Sequence, residues 1–331
     1  MNRVLITGAT GAVGPQVVLT LYNAGYRIRT LSADSSNPCL FCDDIEVFTG
    51  DITDISAVDR AVSGVDLIVH MASLLHINNP EPGLYRQYER VNIDGTKNIM
   101  NAATREKVKR VVFFSTISVY GRAANKIITE DTPLQPNTFY ARTKQVAEKI
   151  VLDVRDQNGQ PVGTVLRFGA IYGARMKGNY RRLITSLNKG TFIPLGDGFN
   201  RRTLIYDKDA AQAVLHSMQH PEAAGKVYNV SDGCFHTLKD IIEAMCIALK
   251  RSFPRITLPL EPVKKMISIL DYTSRFFNVN LPVNMDTIDK YTEDVAVDSQ
   301  LIRTQLGFET RYDLISGLKE TVLEMKKNDL L

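Results

Sequence analysis

Residues 3–15 read RVLITGATGAVGP, which sets Gly8, Gly11 and Gly14 three residues apart. A short β-branched run precedes them, and a stretch with helical spacing, from about Pro15 to Asn23, follows. A strand, a glycine turn and a helix in that order restrict the fold more than any other feature of the chain. Glycine permits the tight turn and lets an anion approach backbone N–H groups, while the helix points the positive end of its dipole at the same place. Proline suits that first helical turn, where its missing N–H costs nothing. Gly8, Thr10, Gly11, Ala12, Val13 and Gly14 therefore form a candidate cradle for the pyrophosphate of a dinucleotide.

Strand-like runs continue as YRIRTLS, IEVFTG, DLIVHMA, RVVFFST and VGTVLRFG. Helical periodicity lies between them in DISAVDRAVSG, in YERVNIDGTKNIMNAATREK and in a helix opened by Asn137. Such alternation, with strands apolar throughout, predicts an α/β fold of the Rossmann type: a doubly wound parallel sheet with helices on both faces. The rhythm breaks near residue 174. The expected division is a dinucleotide-binding domain over 1–174 and a smaller substrate lobe over 175–331, with some of the later chain returning to the first domain. A cleft between tightly packed lobes follows from the absence of a long linker. At the end of the second strand Ser32 stands where an acid gripping a ribose hydroxyl is expected, Asp34 comes slightly late, and Arg29 lies within the strand. NAD is preferred, and NADP stays open.

The composition narrows the partners. Forty basic against thirty-six acidic side chains give +4, spread without a basic block, which argues against nucleic acid. No apolar run reaches the length of a membrane span, and the glycine-rich start does not read as a signal peptide, so no membrane partner and a cytoplasmic location are expected. Four cysteines fit a reducing compartment. Cys39 and Cys42 make a C-x-x-C in a proline-containing loop, but Cys234 and Cys246 do not complete a zinc spacing. No metal site is expected.

Tyr140 and Lys144 are one helical turn apart, on one face of the helix that Asn137 opens. By spacing alone they could be a solvated pair beside a core stripe of Val146, Ile150 and Leu152, or a base beside a cation.

Several further motifs occur in a fixed order: TGATGAVG (7–14), GDITD (50–54), HMAS (70–73), VNIDGT (91–96), FFSTISVYG (113–121), Tyr140 with Lys144, LRFGAIYG (166–173) and RRTLIYDKDAA (201–211). Taken together they resemble the extended short-chain dehydrogenase/reductases, in the NAD-dependent epimerase/dehydratase branch, over nearly the whole chain. The resemblance implies a catalytic set of Thr116, Tyr140 and Lys144. It implies that Ser32, Asp51, Ile52, Met71, Ala72, Ser73 and Phe168 join the glycine loop, Tyr140 and Lys144 around the cofactor. It offers Ser115, Asn179 and Arg202 to the substrate, has Phe192 to Leu195 flanking a nucleobase, and leaves Asn92 to brace the central helix. A homodimer through helices near 85–105 and 138–155 is implied as well.

The chemistry fits these residue types. An unperturbed phenol, with a pKa near 10, is a poor base at neutral pH, and a neighbouring ammonium favours the phenolate. Thr116 would hold the substrate oxygen. Ile117 and Ser118 stand where a dehydratase of this family carries an Asp-Glu pair, so dehydration is set aside. The resemblance implies a UDP-hexose 4-epimerase. The alternatives are a reductase of 4-keto-6-deoxy nucleotide sugars, a hydroxysteroid-type dehydrogenase, and a non-catalytic NAD(P)-sensing module.

Overall fold

In the computed structural model the sheet strands alternate their side chains between two separate cores. Val4 and Ile6 face one and Leu5 the other; Val69 and Ile68, and Val112 and Val111, divide in the same way. This is why the strands are apolar at every position: both faces are covered. The structure describes residues 2–34, 44–75, 83–122, 126–277 and 285–331, with the side chains of 269, 271–277 and 286 outside the description. Cys39 and Cys42 lie outside the described residues.

The strands are β1 (Arg3–Thr7), β2 (Arg27–Ser32), β3 (Glu46–Thr49), β4 (Leu67–His70), β5 (Arg110–Thr116), β6 (Ile127–Ile128), β7 (Gly163–Phe168), β8 (Ala170–Tyr172), β9 (Arg201–Arg202), β10 (Leu204–Tyr206), β11 (Val227–Val230), β12 (His236–Thr237) and β13 (Ala296–Val297). The helices are α1 (Gly14–Asn23), α2 (Ile55–Val62), α3 (Leu84–Tyr88), α4 (Gly95–Arg105), α5 (Phe139–Asp153), α6 (Gly178–Lys189), α7 (Asp207–Gln219), α8 (Leu238–Leu249), α9 (Leu260–Phe277), α10 (Met285–Thr292), α11 (Gln300–Leu306) and α12 (Leu314–Lys327). A π-helical turn, Glu89–Asp94, joins α3 to α4, and a 3-10 turn, Ile117–Tyr120, follows β5.

Seven parallel strands form one sheet in the order β3-β2-β1-β4-β5-β7-β11. Side chains of α1, α7 and α11 pack on one face, and those of α2, α4 and α5 on the other. The order reverses between β1 and β4, and ligands of such sheets bind beyond the carboxyl ends of the strands at that point. The smaller lobe has its own core, where Ile184 and Leu187 of α6, Ile241 and Met245 of α8 and Leu318 and Val322 of α12 meet Tyr172 and Tyr206. Chain beyond residue 174 returns to the sheet unit as α7, β11 and α11. No described helix is long and apolar enough to cross a membrane.

Helix α5 corrects two local expectations. Its N-cap is Thr138, whose Oγ1 accepts from the Ala141 amide at 3.1 Å, so the helix opens one residue after Asn137. Its buried stripe runs Ala141, Lys144, Ala147, Glu148 and Val151, at spacings of three and four residues. The expected stripe is not the packed one: Val146 is 43% exposed and Ile150 and Leu152 are only half-buried. Lys144 is not solvated either; it is 2% exposed.

Candidate active site

A groove of about 680 Å³ runs along the carboxyl ends of β1, β2, β4, β5 and β7. It brings together Gly8, Thr10, Gly11, Ala12, Val13, Gly14, Ser32, Asp51, Ile52, Met71, Ala72, Ser73, Ser115, Thr116, Tyr140 and Phe168. Met176 and Lys177, just ahead of α6, close one side from the smaller lobe.

The glycine turn has steric reasons at two positions. Gly8 sits at φ +72°, and a Cβ there would stand 2.8 Å from the Ala72 amide nitrogen. A Cβ on Gly14 would stand 1.9 Å from the Ala9 carbonyl oxygen, so only glycine lets α1 start so close to the end of β1. No side chain caps α1. Its first amides thus lie at the groove with the positive end of the dipole, as an anion needs.

Farther along, the Ser32 hydroxyl is buried without a protein partner at the groove wall, a polar atom fit for a ribose hydroxyl. Asp34 lines the groove just beyond it, and its carboxylate opposes a 2′-phosphate. Arg29 is no counterweight. Its Nε donates to Glu46 Oε2 at 2.7 Å, and its Nη1 donates to the carbonyls of Ala61 and Ser63. Both features favour NAD over NADP. Phe168 is buried at the end of β7, its ring stacked on that of Phe114 at 4.4 Å.

A hydrogen-bonded brace holds the wall between the two ends of the groove. Thr7 Oγ1 accepts from the Ala72 amide and contacts His70 Nδ1 at 2.7 Å, so the hydroxyl donates to that ring nitrogen. His70 Nε2 then donates to Thr96 Oγ1, which donates to the Asn92 carbonyl. The ring is fully buried, and burial holds its pKa down at about 3, so it stays neutral. Asn92, in the π-helical turn, pairs with both backbone groups of Leu74 and donates to Thr143 Oγ1 on α5. It braces the helix as expected.

At the reacting end Thr116 Oγ1 caps the 3-10 turn by accepting from the Ser118 amide at 3.2 Å. Tyr140 lines the groove from the first turn of α5. Lys144, one turn on, is not part of the lining. Its Nζ lies 4.0 Å from the centre of the Phe113 ring, and burial brings its pKa down to about 7. Burial, aided by Tyr88, pushes the Tyr140 phenol above its usual range. The expected acidification of Tyr140 by Lys144 is therefore not a property of the folded chain alone, because desolvation dominates.

Ser115 departs from its expected role. Its hydroxyl donates inward to Glu148 Oε1. Glu148 also receives Arg167, with Nη2 to Oε2 at 2.7 Å, and the two side chains are 3% and 6% exposed. Arg167 Nη1 donates to the Tyr120 hydroxyl at 2.8 Å, which donates to Asn229 Oδ1 at 2.7 Å. The sequence reading missed this network, although 140, 144 and 148 share one helix face and Arg167 interrupts an apolar strand.

A second cavity, of about 320 Å³, meets the groove at Tyr140, which lines both. Asn179 and Arg202 line it with Ser118, Arg122, Thr138, Asp289, Lys290 and Glu293. Arg202 Nη2 donates to the carbonyls of Lys290 and Tyr291, so part of the expected diphosphate fork is already engaged by the end of α10. Phe192 packs against the smaller lobe's core instead of offering its face to a base. Among the described residues one group of metal-ligating types occurs, Asp232, Cys234 and His236, outside both cavities. Its carboxylate is taken up by His236 Nε2 at 2.6 Å and the Cys234 amide at 3.0 Å.

Comparison with known proteins matches this construction. The sequence model of the NAD dependent epimerase/dehydratase family matches residues 4–231. An Escherichia coli O157:H7 protein named N-acetyl-alpha-D-glucosaminyl-diphospho-ditrans,octacis-undecaprenol 4-epimerase is 26% identical over 336 residues, 99% of this chain and 98% of that one. A Mycobacterium tuberculosis 3 beta-hydroxysteroid dehydrogenase/Delta 5-->4-isomerase is 34% identical over 263 residues, 74% of this chain and 70% of that one. Among solved structures, MoeE5 in complex with UDP-glucose and NAD superimposes with a TM-score of 0.77 at 22% identity, each chain covered to 100%. With the glycine turn, the Tyr140–Lys144 face and a family match over most of its length, the chain belongs to the NAD-dependent epimerase/dehydratase family.

Proposed function

We propose that this protein is a 4-epimerase of diphosphate-linked hexoses, with UDP-hexoses the first substrates to test. The carrying observation is that Tyr140 stands where the dinucleotide groove and a polar second cavity join. A sugar in the second cavity would present its alcohol to the phenol and its ring carbon to the groove. The identity to a relative named as a 4-epimerase of a diphosphate-linked sugar supports the same reaction position.

In this reading Thr116 and Tyr140 hold the C4 hydroxyl, and Tyr140 takes its proton. A bound NAD would supply the acceptor for the C4 hydride and the donor for its return. The resulting 4-keto sugar turns within the second cavity, and Tyr140 returns the proton after hydride return on the opposite face. Because burial keeps Tyr140 protonated in the chain alone, positive charge from a bound oxidised dinucleotide would be needed to favour the phenolate. Lys144 contributes to that charge and would hold ribose hydroxyls from beneath. Asn179 and the part of Arg202 facing the cavity would meet the diphosphate.

A hydroxysteroid-type dehydrogenase is the second reading, favoured by the 34% identity to the mycobacterial enzyme. The second cavity opposes it: Arg122, Arg202, Lys290, Asp289, Glu293 and Asp294 all line it, which suits a polar, hydroxyl-rich ligand better than a sterol. The test is to incubate the purified protein with UDP-glucose, UDP-galactose and their N-acetyl forms without added cofactor and to follow the sugars by NMR. Interconversion supports the proposal. Oxidation of NADH with a 4-keto sugar, without epimerisation, would make it a reductase, and turnover of a 3β-hydroxysteroid alone would favour the second reading.

A further inference from the structure

One edge of the smaller lobe, outside both cavities, combines exposed apolar side chains with a run of basic ones. Residues 194–196 run beside Leu258: Leu195 bridges Leu258 in parallel, the Gly196 amide donates to the Leu258 carbonyl, and the Leu258 amide donates to the Pro194 carbonyl, both at 2.9 Å. Ile193 is 50% exposed, Ile256 65% and Leu258 42%. Helix α9 starts directly after the ribbon and adds Met266, 55% exposed. Residues 250–265 hold five basic side chains (Lys250, Arg251, Arg255, Lys264, Lys265) and one acid (Glu261), so five minus one is +4, equal to the formal charge of all 331 residues. This stretch is therefore net cationic beside its exposed aliphatic side chains.

We propose that this face is a peripheral docking surface for an anionic lipid bilayer. Exposed aliphatic side chains beside clustered lysine and arginine are what an interfacial contact requires: the apolar groups enter the boundary of headgroups and chains while the cations meet anionic headgroups. A protein partner of opposite charge would satisfy the cations, but would leave the methyl-rich ribbon needing a matching apolar surface. The bilayer satisfies both at once. Helix α9 packs against α10, which supplies Asp289 and Lys290 to the second cavity, so the docked face adjoins a wall of the substrate site. A sugar diphosphate carried on a lipid anchor would then be within reach of that cavity; this consequence rests on the function proposed above, whereas the docking surface does not.

The test is sedimentation of the full chain with vesicles of phosphatidylcholine alone and of phosphatidylcholine with phosphatidylglycerol. Binding to the anionic vesicles at low salt, loss of it at high salt, and little binding to phosphatidylcholine are expected. Lys264→Gln with Lys265→Gln weakens binding roughly thirtyfold, about fivefold for each charge lost. Ile256→Ser with Met266→Ser weakens it at every salt concentration. None of these changes alters turnover of a soluble UDP-hexose, so a failure of the proposed activity and a failure of docking read out separately. No binding to anionic vesicles at low salt, or binding indifferent to all four substitutions, overturns the proposal. So does a shift of the same variants from dimer to monomer by light scattering without any vesicle binding, which would assign the face to a second copy of the chain.

Discussion

Lys144→Met separates the stability of the folded chain from its chemistry. The ammonium is almost fully buried, and its pKa falls from the ordinary 10.5 to about 7 because burial disfavours the charged form. At about 1.4 kcal/mol per pH unit, that displacement corresponds to roughly 5 kcal/mol of destabilisation when the lysine is charged in both folded and unfolded states. The Phe113 ring 4.0 Å away offsets about 1–2 kcal/mol of it. The folded value lies below the unfolded one, so between about pH 7 and 10.5 the unfolded chain binds the extra proton and stability rises with pH. Lys144→Met removes both the cost and its pH dependence. Cofactor-free Lys144→Met should therefore be about 3 kcal/mol more stable than the parent at pH 6, and the gain should shrink to about 2 kcal/mol by pH 9 and vanish above about pH 10.5. Urea denaturation of the two proteins at pH 6, 7.5 and 9 measures this, because all other titrating groups cancel in the difference. A difference that stays flat with pH, or a mutant less stable at pH 6, would refute the reasoning.

Tyr140→Phe should reduce turnover roughly 10²- to 10⁴-fold, the usual contribution of a positioned acid or base, while NAD affinity by calorimetry stays near that of the parent. Glu148→Gln should destabilise the protein by about 3–5 kcal/mol in chemical denaturation, since it leaves the buried Arg167 guanidinium without its countercharge; a loss under 1 kcal/mol would contradict the network's role. Gly14→Ala places a methyl group 1.9 Å from the Ala9 carbonyl oxygen, and NAD titration should show binding lost or weakened at least tenfold, whereas unchanged affinity would contradict the geometry of the turn.

The groove was legible because its parts are local. A strand, a turn and a helix adjacent in sequence fix the glycine cradle, and strand ends in a parallel sheet fall on one edge whatever the loops do. Side chains whose orientation is set by distant elements were not legible. Glu148 and Arg167 are 19 residues apart in sequence and become partners only when the sheet lies over α5. Val146 reads as core until the true contact face of α5, through Lys144 and Val151, is known. Arg29 leaves NADP open in the sequence, and only the fold shows Glu46 on the neighbouring strand engaging it. The second cavity is assembled from the turn after β5, the start of α5, Asn179, Arg202 and the end of α10, with no periodicity linking them.

The central claim is a hydride that leaves and returns to the same carbon beside Tyr140. UDP-glucose carrying deuterium at C4 should yield UDP-galactose with the deuterium still at C4, in ordinary water and without added cofactor. Product with hydrogen in place of the label, or no galactose-configured product from this substrate or its N-acetyl form, would contradict the account.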